Sequence, residues 1–216
     1  MMMNLFSTFD PCTGNLSLNW ISSLIMMLVI NYNYWVMPNN MINLIMKIYN
    51  STKKELSMIM SEKGSTIMFI SIGMFILINN IMGLMPYMFT STSHLTFSLG
   101  LALPIWVSFM IYGWINKTNS MFTHLLPMGT PPLLMPFMVL IETISTLIRP
   151  GSLAVRLTSN MIAGHLLMAL LGGSCNLMTT IMLMVIFMVL MMFETAVSFI
   201  QSYVFMILST LYSSEV

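Results

Sequence analysis

Two apolar stretches, 133–171 and 177–212, lie towards the end of this 216-residue chain, with only the five-residue turn GGSCN between them. As continuous helices they would be about 58 Å and 54 Å long at 1.5 Å per residue. A bilayer's hydrocarbon core is only about 30 Å thick. Neither stretch can stand upright in it, so each has to tilt steeply, kink or protrude, and Pro150-Gly151 is the place for the first to bend. The short turn makes the two antiparallel neighbours. Composition agrees with a membrane setting: 57% of residues are hydrophobic and 6% charged, against about 25% charged in a soluble domain. The expectation is an all-α integral membrane protein with a single domain, 1–216.

The rest of the chain divides into further helices. Residues 18–37 are long enough for a first span, with Trp20, Tyr32, Tyr34 and Trp35 as interfacial anchors and Pro38 as the stop. In 41–62 the polar residues Asn43, Lys47, Asn50, Lys54, Ser57 and Ser61 recur at alternating four and three, opposite Ile45, Ile48, Tyr49, Leu56 and Ile59. That pattern predicts an amphipathic helix on the membrane surface. Residues 66–85 and 96–115 read as the second and third spans; Pro86 stops the former, and Pro104 predicts a kink in the latter. Asn79 and Asn80 are expected to bond between helices. His94 and His124 read as solvated loop residues, the second in a loop closed by Pro127, Gly129, Pro131 and Pro132. With 133–171 and 177–212 the count is five spans.

Lysines set the orientation. Lys47, Lys53, Lys54 and Lys63 lie between spans one and two and Lys117 between spans three and four, whereas the N-terminal tail, 86–95 and 172–176 have no Lys or Arg. By the positive-inside rule the C-terminus is inside and the N-terminus outside.

The last two spans also hold the residues that a membrane protein does not keep idly. An ionised side chain at the bilayer centre costs about 2.5–3.5 kcal/mol even on insertion scales. Glu142, Arg149 and Arg156 are seven apart, a step that drifts about 20° on a straight helix, so they form one stripe. Asn160 extends it by a turn. Glu142 lies about 21 Å from Arg156 along the axis and His165 about 14 Å the other way. A permanent cation thus separates two titratable groups, an arrangement suited to proton transfer with a central barrier. Glu194, Ser198 and Gln201 form a second stripe that the hairpin turns towards the first.

Other chemistries fit poorly. Cys12 and Cys175 have no metal or redox spacing, no metal or cofactor is implied, and the net charge of +1 gives no reason to expect nucleic-acid binding. A secondary transporter would show repeated halves with paired broken helices. A haem cytochrome needs paired histidines on facing helices, and only His165 lies in a span. A purely structural subunit has no use for ionisable stripes. The N-terminus lacks the basic region of a secretory signal and the Arg-rich pattern of a transit peptide. The 29 methionines stand mainly where Ile or Leu would serve, as in a genetic code that reads an isoleucine codon as methionine, the code of animal mitochondria.

The run LAVRLTSNMIAGH, with Glu142 fourteen residues before Arg156 and ETAVSFIQSYVF downstream, resembles subunit a of the rotary ATP synthases in its mitochondrially encoded animal form. The likeness extends from NLFSTFDP to STLYSSEV. It implies a proton-translocating stator subunit, not an enzyme in its own right, with two offset half-channels beside a ring of c subunits. Other stator subunits and membrane lipid are the further implied partners. The setting is the mitochondrial inner membrane, with the N-terminus in the intermembrane space and the C-terminus in the matrix. By position Arg156 matches the family's essential arginine, Asn160 the polar residue one turn on, and Glu142 the acid near the matrix outlet. His165, Glu194 and Gln201 match polar residues near the inlet and the ring; either His165 or Glu194 relays the proton while the other orders water. Arg149 lines the outlet, balances Glu142 or binds lipid head groups. The alternative is a subunit of another proton- or ion-transporting membrane complex.

Overall fold

The computed structural model describes residues 5–12, 16–25, 37–60, 64–126, 129–173 and 180–215. Every regular element among them is helical. Short 3-10 segments run over Leu5–Phe9, Leu18–Ile25 and Ser91–Ser93. The α-helices are α1, Asn40–Ile59; α2, Ser65–Leu84; α3, Leu95–Asn116; α4, Thr118–Leu125; α5, Met135–Gly173; and α6, Thr180–Glu215. Four of these, α2, α3, α5 and α6, are long and apolar enough to cross a membrane. Of the expected first span, 18–25 is a 3-10 helix and 26–36 lies outside the described residues. Lys63, Pro127 and Cys175 lie outside them too.

The two long helices are continuous, and α5 runs through Pro150 without a break. Around the hairpin, α2 packs along α6 and α3 along α5, while α1 leans on α2 and α6. One core joins Ile76, Ala102, Leu153, Ala154, Leu157 and Phe205; a second joins Leu56 of α1 to Phe69, Ile70 and Met206. Small residues permit these close approaches. A Cβ at Gly73 would stand 2.8 Å from Met206 Cε, so the glycine lets α2 lie against α6 with Met206 in its present rotamer. Along α6 the buried Ser198, Ser202, Ser209 and Thr210 donate their hydroxyls to the carbonyl three residues back at 2.7–2.8 Å. Each is thereby satisfied within its own helix, as an apolar setting requires.

Of the stretch 41–62, residues up to Ile59 are helical as α1, with Lys53, Lys54 and Ser57 exposed and Leu56 fully buried, and 61–62 lie outside the described residues. Tyr203 Oη donates to Glu55 Oε2 at 2.7 Å, a second tie between α1 and α6. Three local expectations need correction. Among the described residues neither Asn79 nor Asn80 bonds between helices: Asn79 Nδ2 donates to Phe75 O of its own helix at 3.1 Å, and the buried Asn80 amide has no protein partner. The loop after α3 contains α4, because 118–125 has no Gly or Pro and the chain is broken only at Lys117, at φ −130° and ψ 47°. Finally, His94 is not a solvated loop residue. Its Nε2 lies 3.0 Å from Phe9 O, and its ring packs 5.2 Å from both Trp20 and Phe89.

Candidate functional site

The polar residues of α5 and α6 meet along one seam. Asn160 Nδ2 donates to Gln201 Oε1 at 2.9 Å, which sets the register of the antiparallel pair. One turn towards the hairpin's closed end, Gly164 of α5 faces Glu194 of α6. A Cβ at Gly164 would fall on the Glu194 carboxylate, so this side chain occupies space that only a glycine leaves free. Glu194 is 7% exposed, and Gln201, two turns along the same face, is buried as well. His165 follows Gly164 directly and is half-buried; its Nε2 has no protein hydrogen-bond partner among the described residues. Its ring meets Phe9 edge-on at 6.2 Å. The structure therefore brings Glu194 and His165 to the same level of the hairpin, beneath the N-terminal segment that His94 also holds.

The two arginines of the stripe have different surroundings. Arg149 lies 3.9 Å from Glu142, is hydrogen-bonded to Glu215, and has its guanidinium carbon 5.2 Å from the Tyr212 ring centre. Arg156 is exposed, and among the described residues no carboxylate stands within ion-pair distance of it. The exposed residues one turn away on the same face of α5, Ser152, Ser159 and Asn160, are polar but carry no charge. A guanidinium on such a surface has to meet water or a counter-charge from outside the chain.

At the Arg149 end a cavity of about 270 Å³ opens between α3, α4, α5 and α6. Glu142, Arg149 and Glu215 line it, and so does His124, which reached this site unannounced by any sequence pattern because α4 is too short for periodicity to show. Glu215 was missed as well. Its place follows from the length of α6, whose last turn reaches back alongside Arg149.

These features define a multi-span helical membrane protein with a polar seam between its last two helices. Residues 16–214 match the family model of the ATP synthase A chain. The chain is 54% identical to ATP synthase subunit a of Anopheles quadrimaculatus and 56% identical to those of Locusta migratoria and Drosophila melanogaster, and each alignment covers the whole of both chains. It belongs to the ATP synthase A chain family. Its role is that of the proton-translocating membrane subunit, and the chemistry on ATP is not carried out by this part of the synthase.

Proposed function

We propose that this chain conducts protons through two offset half-channels beside a ring of c subunits, with Arg156 as the fixed cation between them. Glu142 belongs to the outlet, with Arg149 balancing it; His165 and Glu194 belong to the inlet; Asn160 and Gln201 join the helices between. The observation that carries this reading is the contrast within one stripe: Arg149 is paired with two carboxylates, and the exposed Arg156 with none among the described residues. A ring carboxylate arriving at that face supplies the missing charge. At 4 Å and an effective dielectric of 20 the attraction is about 4 kcal/mol, enough to favour the ionised acid and hence proton release. Arginine stays protonated, so it cannot relay a proton and blocks a direct leak. The membrane potential adds about 2.3 kcal/mol per proton per 100 mV.

The setting that goes with this is the mitochondrial inner membrane, crossed by several spans. The finer arrangement we propose has five spans, 18–37 being the first, with α1 on the matrix surface. The helices α5 and α6 are tilted because about 58 Å and 54 Å of helix exceed a core of about 30 Å. The N-terminus then lies in the intermembrane space and the C-terminus in the matrix. In inner-membrane vesicles Arg156→Ala should abolish coupled ATP synthesis and raise passive proton flux. Arg156→Lys should fail as well, because an ammonium loses the fork geometry and can deprotonate. Arg149→Ala should be milder. Near-normal synthesis in Arg156→Ala would remove the central claim.

A further inference from the structure

The cavity at the Arg149 end holds more titratable chemistry than the outlet reading uses. Four helices build it. From α4 comes His124, from α5 Glu142 and Arg149, and from α6 Tyr212 and Glu215; α3 contributes Trp106 and apolar side chains but no ionisable group. Arg149 is shared between Glu142 and Glu215, so the wall carries two carboxylates to one guanidinium. An excess of negative charge in a confined space raises the local concentration of protons. Since liquid water takes about 30 Å³ per molecule, the space has room for several.

We propose that His124 is a further proton-path residue, carrying protons from the Glu142 cavity to matrix water. The inference rests on the reading of the Glu142 end as the outlet. His124 is exposed on its outer side and lines the cavity on its inner side, so it touches both compartments that the proton has to join. Imidazole is the side chain suited to accepting and releasing a proton near neutrality, whereas a carboxylate accepts one there only rarely. The step is balanced. The Glu142 carboxyl gives its proton through cavity water to the neutral imidazole; the imidazolium then releases a proton from its other ring nitrogen to bulk water, and a turn of the exposed ring about its Cβ–Cγ bond restores the starting tautomer.

The test uses the whole complex in inverted inner-membrane vesicles, whose matrix face is outward. His124→Ala should lower respiration-driven ATP synthesis roughly tenfold, since a positioned acid–base group contributes about 10²–10⁴-fold and bulk water replaces part of it. Imidazole in the outer buffer should restore the rate in a concentration-dependent way. Pyrazole, a ring of similar shape that does not protonate near neutrality, should not. Each rate is read against the unaltered complex in the same buffer, so any loss of gradient to the added base cancels. His124→Gln keeps size and polarity, guards against an assembly defect in the alanine variant, and should be equally slow. Unchanged rates in both variants, or a lost rate that imidazole does not recover, would overturn the proposal. Should Arg156→Ala abolish synthesis while His124→Ala runs normally, the role of His124 alone is wrong; normal synthesis in Arg156→Ala removes the channel reading itself.

Discussion

Gly164 is the residue at which a single methyl group should do the most harm. A Cβ there coincides with the carboxyl carbon and both oxygens of Glu194. Helix α5 cannot retreat, because Ala154, Leu157 and Met161 on the preceding turns are buried in the bundle. The carboxylate therefore has to leave its place. Overpacking of this kind costs about 1–3 kcal/mol. If all of that appears in the proton-transfer barrier, ATP synthesis falls about 5- to 160-fold, at tenfold per 1.36 kcal/mol. Two other glycines grade the effect. At Gly73 the added Cβ meets the tip of Met206 at 2.8 Å, and a flexible thioether can turn away, so Gly73→Ala should be much milder. At the exposed Gly100 nothing stands within 4 Å, and Gly100→Ala should be neutral or slightly stabilising. Shortening the acid makes room again, so Gly164→Ala combined with Glu194→Asp should recover part of the loss seen in Gly164→Ala. The assay is the rate of ATP synthesis in vesicles, normalised to the amount of assembled complex. A Gly164→Ala complex working within twofold of the unaltered one would show that the position of Glu194 does not matter to the flux.

Two further outcomes are expected. Asn160→Ala and Gln201→Ala should be non-additive in synthesis rate by about 3- to 18-fold, since interhelical hydrogen bonds in membranes couple by about 0.6–1.7 kcal/mol; purely additive losses would show that the 2.9 Å bond does not hold the seam. Thiols placed at the exposed Ser51 and Ser214 should react with an impermeant reagent added from the matrix, while Cys175 should not; labelling of Cys175 from that side would reverse the orientation.

What could be read from the sequence was what local spacing encodes. The seven-residue interval of Glu142, Arg149 and Arg156 needs no tertiary information, and the turn GGSCN places the stripe of Glu194 and Gln201 opposite. The structure joins the two through Asn160 and Gln201. The spans 66–85 and 96–115 differ from α2 and α3 only by a residue at each end. The misses are contacts made between distant parts of the chain. Gly164 has no side chain for a pattern to register, and its role comes from Glu194, which approaches from the other helix. His94 is drawn out of water by Phe9, 85 residues earlier. Arg149 and Arg156 look equivalent on one stripe until Glu215, 66 residues on, takes one of them.

The distribution of polarity along α6 explains why the seam lies where it does. From Ile181 to Phe193 the helix has no polar side chain, and most of those residues, among them Ile181, Met182, Met184 and Met188, are exposed. Polar residues begin at Glu194, where the carboxylate first gains cover from α5, and continue as Ser198, Gln201 and Ser202 along the buried face. A carboxylate on the exposed part would face lipid at a cost of about 2.5–3.5 kcal/mol. Packing therefore limits how far the polar path can extend along this helix. Arg156 escapes that limit because it is exposed on the outer face, where the uncharged Ser152, Ser159 and Asn160 are exposed with it. A surface that covers it has to be apolar over the exposed Val155 and still supply one negative charge. Apolar helices with a single acid at the level of Arg156 meet both conditions, and a second fixed carboxylate from this chain at the same place would compete with that acid for the guanidinium.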